Sequence, residues 1–308
     1  MSAKILREKY VRRFVGLKKY ERQTAWLIVF GYLLQIVISA AMGSYLLALS
    51  ASPLTVFAIV ALIVFIGTRM RGLNNIVHEC SHSTFSVLRS DNVLIGKICA
   101  SLLFGSFSVY RDVHLSHHSH VGDYEHDLDL QNIKGLGIHD PLTRRVLLRH
   151  LITPFLGRHL PYYLGFNMST RDGYQFLVLK TVLLLGVSFF TALYPMTGAL
   201  FVIVPLVFVY SALNFWADCM DHAGIVPADD ELDSSRNVLA PRFVRWLLFP
   251  RNDCFHLVHH LFPHVPARHL ATTHAALVED MHYRSRPNAV RRAKIPGDQL
   301  EKATVPAE

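Results

Sequence analysis

The sequence predicts an all-α integral membrane protein, with four transmembrane helices in two hairpins and a cytoplasmic helical cap. Three observations support this fold class. Of the 308 residues, 51% are hydrophobic, the mean hydropathy is +0.28, and only 18% are charged, below the roughly 25% usual in soluble domains. The two stretches 25–68 and 173–217 contain a single charged residue between them. Nine of the 18 histidines fall in four short groups outside both stretches.

The first apolar stretch, residues 25–68, has no Asp, Glu, Lys, Arg or His among its 44 residues. As one helix it would extend about 66 Å, about twice the thickness of a bilayer core, so we expect it to fold back once. The residues Ser50, Ala51, Ser52 and Pro53 suit a turn. We therefore predict one helix near 25–48 and a second from about 54, which continues beyond the membrane to carry His78 and His82.

The second stretch, residues 173–217, has Lys180 as its only charge. Like the first stretch, it would be about twice as long as the bilayer core is thick if it formed one helix. We predict two more spans with a turn at 194–198, and a kink at Pro205 in the last span. Neither inter-span turn carries a charge, and the Lys and Arg residues fall on the other side. The positive-inside rule then predicts that both termini and the histidine groups are cytoplasmic.

Residues 93–110 are apolar apart from Lys97 and are almost long enough for a span. A crossing here would place the histidines before and after it on opposite faces of the membrane. We therefore predict a re-entrant or interfacial helix, followed by a helix with Asp112 as its N-cap. Residues 120–172 are predicted to form cytoplasmic surface and interfacial helices.

We expect a single membrane-embedded domain over residues 1–308. Its net charge of +8 lies outside the apolar stretches, which favours the positive-inside rule over nucleic-acid binding. Residues 1–22, with eight Lys or Arg, predict a basic cytoplasmic arm, and residues from about 284–308 predict a mobile tail. The four cysteines form no CxxC pair, which favours a reducing, cytoplasm-facing site over a disulfide framework.

Nine histidines in four groups predict that the cap holds a histidine-rich site for two metal ions. On a helix, residues three and four apart share a face, so the spacings HxxxH and HxxHH each aim at least two imidazoles in one direction. Imidazole is a good ligand for iron, zinc, copper and nickel, and nine imidazoles suit two near-octahedral ions better than one. The predicted ligands are His78, His82, His114, His117, His118, His222, His256, His259 and His260.

The position of this cluster indicates a metal site for a substrate from the lipid phase. Histidine-bound iron pairs can activate oxygen against unactivated C–H bonds, a reaction that suits an apolar chain delivered from the bilayer. Asp127 and Asp129 follow the first HxxHH closely, where a carboxylate can orient an imidazole from outside the metal sphere.

Three of the motifs resemble the histidine boxes of the membrane fatty acid desaturase superfamily. These are His78-Glu-Cys-Ser-His82, His114-Leu-Ser-His117-His118 and His256-Leu-Val-His259-His260. The similarity covers about residues 54–275 and extends to smaller features, which are an acidic pair (Asp127-Leu-Asp129), an Arg motif (Ser235-Arg236-Asn237-Val238), a Pro-containing run (261–266) and an EHxG-like motif with Asp in place of Glu (Asp221-His222-Ala223-Gly224).

The resemblance implies an oxygen-dependent di-iron oxidoreductase with two iron ions as cofactor and O2 as co-substrate. It favours a fatty-acyl or related lipid desaturase that introduces a C=C bond. Asp218 lies four residues before His222, where related enzymes place a water-holding polar residue, and we predict outer-partner roles for Asp218 and for Asp221. No cytochrome b5-like HPGG is present, so the expected electron donor is a separate protein of the ferredoxin, rubredoxin or cytochrome b5 type.

Other functions stay open at this point. The boxes do not separate desaturases from hydroxylases or ketolases, and the superfamily also acts on sphingolipids, carotenoids and other metabolites. The first box is HxxxH rather than the HxxxxH of stearoyl-type delta-9 enzymes, and the third begins with His256 rather than the Gln of front-end desaturases.

Two further classes are weaker alternatives. Residues 78–82 match HExxH, the zinc-protease signature, with Glu79 as general base, but a protease would leave both HxxHH triplets unexplained. A metal transporter would need polar groups within its spans to bind its ions, and the runs 25–68 and 181–217 contain no Asp, Glu, Lys, Arg or His.

Overall fold

The computed structural model describes residues 3–290, which form helices and connecting turns without any β-strand. The helices are, in chain order, α1 (Ala3–Phe14), α2 (Arg22–Leu47), α3 (Pro53–Ser81), α4 (Arg89–Leu102), α5 (Phe107–His120), α6 (Leu128–Ile133), α7 (Arg144–Ile152), α8 (Leu160–Tyr163), α9 (Tyr174–Leu193), α10 (Pro195–His222), α11 (Glu231–Ser234), α12 (Arg242–Leu248), α13 (His256–Leu261), α14 (Leu270–Val278), α15 (Met281–Arg284) and α16 (Pro287–Val290).

Four of these helices are long and apolar enough to cross a membrane, namely α2, α3, α9 and α10. They match the four predicted spans, and the turns between them begin after Leu47 and Leu193. Ser52 caps α3 by accepting a hydrogen bond from the backbone N–H of Thr55, and Pro53 follows at the first helical position, where its missing N–H costs nothing. The helix α3 then continues for 29 residues and ends immediately before His82.

The outer surfaces of these helices are apolar. Leu54, Phe57, Leu185 and Phe189 are between 64% and 76% exposed, whereas large exposed apolar surfaces are rare in soluble monomers. The single charge of the second stretch, Lys180, is fully buried and donates to the backbone carbonyls of Gly105 and Asn167. The chain is therefore a membrane protein whose apolar helix faces suit lipid and whose buried charge is satisfied internally.

The helices α4 and α5 meet at an angle of 107° and would count as a fifth span only if this bend lay within the membrane. The sharp bend fits the predicted re-entrant or interfacial segment at 93–110. The prediction that Asp112 caps the second helix is wrong, because Ser106 accepts from the N–H of Val109 at the start of α5. Asp112 lies one turn further along and pairs with Arg171.

The last span, α10, changes its hydrogen-bonding pattern around Pro205. It has π-helical hydrogen bonding over Ala199–Ile203 and Pro205–Tyr210, and α-helical bonding over Ser211–His222. Proline has no N–H and clashes with the carbonyl four residues earlier, and a wider π turn is a common way to accommodate such a defect. The predicted disturbance at Pro205 thus takes the form of widened turns.

The N-terminal arm contains a helix, α1, that packs on α13 and α14. Leu6, Tyr10 and Phe14 of α1 are buried against residues of α13 and α14, and the rings of Phe14 and Phe262 lie 5.0 Å apart. At the other end, the predicted tail from about 284 includes residues 284–290, where Ala289 is buried and Asn288 accepts from the N–H of Asn237. The rest of that predicted tail, 291–308, lies outside the described residues.

Candidate metal centre

The nine predicted ligands come together in two groups near the C-terminal ends of α3 and α10. A five-histidine group contains His78, His82, His114, His118 and His259. A four-histidine group contains His117, His222, His256 and His260. Within each group the ligand nitrogens all lie within 4.8 Å of one another, and the two groups touch where the rings of His118 and His260 lie 4.4 Å apart.

Each HxxHH triplet is divided between the two groups. In α5, His114 and His118 enter the five-histidine group while His117 enters the other. In α13, His256 and His260 enter the four-histidine group while His259 enters the five-histidine group. Residues four apart share a helix face whereas adjacent residues differ by about 100°, so one turn of helix supplies imidazoles to two neighbouring centres.

The spacing of the Nε2 atoms fits metal coordination. In the five-histidine group, neighbouring Nε2 atoms are separated by 2.8 Å (His78 and His259), 2.9 Å (His82 and His114), 3.1 Å (His114 and His118) and 3.0 Å (His118 and His259). In the four-histidine group the separations are 2.9 Å (His222 and His256) and 3.0 Å (His256 and His260).

An ion about 2.1 Å from each nitrogen separates neighbouring nitrogens by about 3.0 Å at right angles and about 3.4 Å at the tetrahedral angle. The observed separations of 2.8–3.1 Å therefore fit ligands at right angles, as in octahedral sites. All nine donors are imidazoles, which suit iron among several transition metals. The residues present fit two ions of this kind, one in each group.

Polar partners hold the outer nitrogens of the four-histidine group. The Nδ1 of His117 donates to Asp127 over 2.7 Å, and the Nδ1 of His222 donates to the carbonyl of Ser234 over 2.9 Å. The Nδ1 of His256 lies 3.6 Å from a carboxylate oxygen of Asp221. A proton on Nδ1 leaves the Nε2 lone pair free, so these contacts select the tautomer that binds a metal through Nε2.

Burial keeps the imidazoles of α13 neutral. Desolvation lowers the pKa of His256, His259 and His260 well below the ordinary value for histidine, and neighbouring imidazoles lower it further. Burial alone would raise the pKa of Asp127, but the hydrogen bond and charge of His117 bring this pKa below its usual value. The structure thus combines neutral α13 ligands with an ionised outer carboxylate. Burial lowers the pKa of His117, but its hydrogen bond and charge pairing with Asp127 bring this pKa above the ordinary histidine value.

The four acidic residues predicted near the centre occupy different positions. Asp127 and Asp221 face imidazoles, as described above. Asp129 and Asp218 are not hydrogen-bonded to any histidine; both line the neighbouring cavity, where Asp218 accepts a hydrogen bond of 2.7 Å from the hydroxyl of Tyr163. The cavity has a volume of about 300 Å³ and reaches ligands of both groups.

Glu79, the residue that completes the HExxH string, is bound by an arginine and not by a histidine. Its carboxylate is buried and forms a two-point ion pair with Arg251, with one contact at 3.1 Å. Since this side chain is engaged by a buried guanidinium, it is unsuited to act as a general base beside His78 and His82. The protease alternative therefore loses its catalytic residue.

Several contacts at this centre were not predicted from the sequence. The ring of Tyr110 stacks on His114 at 5.5 Å, and its position one helical turn earlier is a signal that could have indicated this. Arg7 of α1 donates to the carbonyls of Leu261 and His260, over 2.9 and 3.2 Å, at the C-terminal end of α13. The carbonyl of Ser234 carries no sequence signal, because any residue can supply it.

Comparison with known proteins gives consistent matches. The fatty acid desaturase family model matches residues 55–288. Curated relatives include a dihydrorhizobitoxine desaturase from Bradyrhizobium elkanii, 26% identical over 66% of this chain and 63% of its own length. An sn-1 oleoyl-lipid 12-desaturase from Synechocystis is 26% identical over 70% of this chain and 67% of its own. An endoplasmic reticulum omega-3 fatty acid desaturase from Vigna radiata is 28% identical over 71% of this chain and 64% of its own.

The chain thus spans about two thirds or less of the length of these relatives. The family match, in contrast, covers most of this chain and contains all nine histidines of the two groups. It confirms the resemblance that the histidine boxes indicated and supports an oxidoreductase. This membrane protein belongs to the fatty acid desaturase family.

Proposed function

We propose that the protein is an oxygen-dependent di-iron desaturase that introduces a C=C bond into a fatty-acyl or related aliphatic chain. The observation that carries this proposal is the pair of adjacent histidine groups, with right-angle nitrogen spacing, on the wall of one cavity. Desaturation removes two hydrogens from neighbouring carbons, and with two electrons and two protons from outside it reduces O2 to two waters.

The nine histidines of the two groups would hold the two irons, which when bound supply the oxygen-activating redox chemistry. The protein contributes position and charge. Asp127 and the Ser234 carbonyl fix the rings of His117 and His222, and Asp221 supports His256. A substrate in the cavity would lie beside ligands of both groups, and α13, which carries three of these ligands, is packed against α1 and α14.

Desaturation is proposed ahead of hydroxylation or ketolation because the relatives found are named as desaturases. The substrate is not set by these names. Two of the relatives are named for lipid or fatty acid substrates, while dihydrorhizobitoxine, in the name of the third, is a non-lipid metabolite.

We further propose that α2 with α3 and α9 with α10 form two transmembrane hairpins, with both termini and both histidine groups cytoplasmic. The lack of charge in both inter-helix turns supports this orientation. A cysteine at the exposed Met196 should react only with an impermeant reagent applied from the non-cytoplasmic side. The four native cysteines are buried or half-buried and provide a low background. Labelling of position 196 from the cytoplasmic side would refute the orientation.

A separate electron donor completes the proposal, and one relative from Helianthus annuus is named as a ferredoxin-type enzyme. The residues 1–308 would act as a single domain, since α1 packs against the helices that follow His256.

The test is a comparison of cells with and without the protein, by profiling of lipids and metabolites, together with iron analysis of the purified protein. We expect about two irons per chain and a product two hydrogens lighter than its precursor, which forms only with O2 and disappears in His117→Ala. A protein that is active with one tight zinc and no iron would overturn the proposal. A product heavier by one oxygen would replace desaturation with hydroxylation.

A further inference from the structure

Residues 234–238 lead from the end of α11 towards α12 and contain the Arg motif of the sequence, Ser235-Arg236-Asn237-Val238. None of these residues is a predicted metal ligand. Asn237 is nevertheless only 3% exposed, and buried polar groups normally have hydrogen-bond partners. The partners of this segment lie at the ends of α10 and α13, the helices that carry His222 and His256.

The first half of the segment binds the end of α10. The backbone N–H of Arg236 donates to the carbonyl of Asp221 over 3.1 Å, and the guanidinium of Arg236 donates to the carbonyl of Ala223. The carbonyl of Ser234 accepts from the ring of His222. The last carbonyls of a helix have no partner within it, and a cation beside them offsets the negative end of the helix dipole. The segment therefore holds His222 by its ring and by the backbone on both sides of it.

The second half of the segment binds the start of α13. The Oδ1 of Asn237 accepts from the backbone N–H of Val258 over 3.3 Å, and the N–H of Val238 donates to the carbonyl of Cys254 over 2.7 Å. The helix α13 has only six residues, and Phe255 before it provides no side-chain cap. Isolated helices shorter than about 12–15 residues are marginal in water, so the direction of α13 depends on tertiary contacts of this kind.

Asn237 is itself held by the C-terminal helices. Its Nδ2 donates to the hydroxyl of Tyr283 over 2.8 Å and to the carbonyl of Ala289 over 3.1 Å. Its backbone N–H donates to the carbonyl of Asn288 over 2.9 Å. The side-chain amide therefore uses both of its N–H groups and its oxygen, which fixes its orientation and makes it a rigid link to α13.

We propose that Arg236 and Asn237 are positioning residues that hold the ends of α10 and α13 together, so that His222 and His256 bind the same iron. The Nε2 atoms of these two histidines lie 2.9 Å apart. The contacts of Arg236 are at α10, which supplies one ligand, to the four-histidine group only. Asn237 contacts α13, which supplies two ligands to the four-histidine group and one to the five-histidine group. This inference rests on the proposed two-iron function, and it assigns different effects to the two residues.

Iron binding by the full-length protein in nanodiscs tests the role of Arg236. The protein is loaded with isotopically enriched ferrous iron without O2, and chelator competition and Mössbauer spectra report on each iron separately. Arg236→Met removes the donor but keeps the length of the side chain. We expect it to weaken the binding of one iron by about tenfold or more and to change one of the two Mössbauer components. Unchanged binding of both irons, or an equal loss of both, would overturn the proposal.

Arg236→Lys is the conservative variant. It keeps a donor with a different reach and should weaken the same iron by a smaller factor, about threefold. If Arg236→Met is not recovered as a folded protein, this variant decides by the same criterion, because a loss confined to one iron supports the proposal and an equal loss or no loss contradicts it.

Asn237→Ala should have a broader effect. It leaves the N–H of Val258 without its partner, so the binding of both irons should weaken. The larger loss should fall on the iron that Arg236→Met also weakens, since the four-histidine group takes more of its ligands from α13. A larger loss at the other iron, or no loss at all, would contradict the assigned role.

Two controls separate positioning from a general loss of stability. Arg284→Gln alters an exposed cation of the C-terminal region and should change neither iron. Ile66→Ala removes a fully buried side chain from the separate apolar core around α3, and it should lower the Tm while both irons bind as in the parent. If Ile66→Ala produced the same one-iron loss as Arg236→Met, destabilisation would explain the effect and the proposal would fail.

Product analysis of the parent protein separates this proposal from the desaturase function. A parent that binds two irons but forms no C=C bond would refute the function, while a one-iron loss in Arg236→Met would still support positioning. A parent that forms the C=C bond, with iron binding unchanged in both Arg236→Met and Asn237→Ala, would refute positioning and keep the function.

Discussion

The two histidine groups differ in the number of imidazoles and in the polar contacts that hold the Nδ1 side of those imidazoles. The five-histidine group offers five imidazoles to an ion, whereas the four-histidine group offers one fewer. In the smaller group, however, three of the four rings have a polar neighbour at Nδ1, from Asp127, Ser234 or Asp221. An octahedral ion has six positions, so five imidazoles leave one position for other ligands and four leave two.

This difference indicates a division of roles between the two groups. Three rings of the four-histidine group line the cavity, compared with two of the five-histidine group. The group with fewer protein ligands is thus more open to the cavity, and its rings are held from outside instead. Outer partners that orient a ligand commonly change metal affinity or activity by about 10–100-fold, so we expect the polar contacts to strengthen metal binding by the four-histidine group.

The largest expected effects come from removing one ligand of each group, in His82→Ala and His222→Ala. Each should lower activity by more than about 100-fold, since loss of a direct ligand should exceed the loss of an outer partner. Iron per chain should fall from about two to about one in both, measured by elemental analysis. His120→Ala, on the exposed end of α5, is the control. Loss of both irons in both variants would show that the groups bind metal as one unit.

A smaller effect is expected from Asp127→Asn, which keeps the shape of the side chain but removes the charge that holds His117. We expect a 10–100-fold loss of affinity for one of the two irons, measured by chelator competition. The exposed Asp123 provides the matched variant Asp123→Asn. If Asp127→Asn lowered the affinity for both irons equally, the proposed difference between the four-histidine group, with its polar Nδ1 contacts, and the five-histidine group would be refuted.

Glu79→Gln should affect folding more than chemistry. Leaving Arg251 as an unpaired buried charge is expected to cost about 3 kcal/mol or more of unfolding free energy, visible as a lower Tm in detergent. Activity per folded molecule should stay within about tenfold of the parent, since the carboxylate of Glu79 is engaged by Arg251 and not by a histidine. The double variant Glu79→Gln/Arg251→Gln should recover part of the stability. A normal Tm with no activity would restore a catalytic role for Glu79.

Much of this architecture could be predicted from the sequence because it depends on local patterns. Two apolar runs of 44 and 45 residues, with one Lys between them, define the four spans. The i, i+4 spacing of His114 and His118 places their side chains in the same histidine group. The division of each HxxHH triplet was harder to predict, since helix geometry gives directions but not the location of the second centre. That depends on how α3, α5, α10 and α13 pack, which is a long-range property.

The roles of the four acidic residues show the same limit. Sequence distance from the histidines predicted Asp127 and Asp129 as outer partners, and the family resemblance predicted Asp218 and Asp221. Only Asp127 and Asp221 face imidazoles, whereas Asp129 and Asp218 line the cavity without a hydrogen bond to a histidine among the described residues. The side chains of Asp127 and Asp129 point in opposite directions, because Asp127 is the N-cap of α6 whereas Asp129 lies inside the first turn of this helix. Likewise, the basic composition of residues 1–22 gave no sign that Arg7 would reach α13.

The smallest expected effect concerns this contact of Arg7, which acts on both groups at once. Its guanidinium donates to the last carbonyls of α13, at His260 and Leu261, where a cation also offsets the negative end of the helix dipole. The side chain is 36% exposed, so solvent screens the interaction, and Arg7→Ala should cost only about 1–2 kcal/mol. Because α13 supplies ligands to both groups, the affinity for both irons should fall together and by less than in Asp127→Asn.

Arg12→Ala, on the exposed face of α1, serves as the control, with Tm and chelator competition as measurements. Selective loss of one iron in Arg7→Ala would mean that α13 does not move as a unit, and that the two groups are positioned independently of each other.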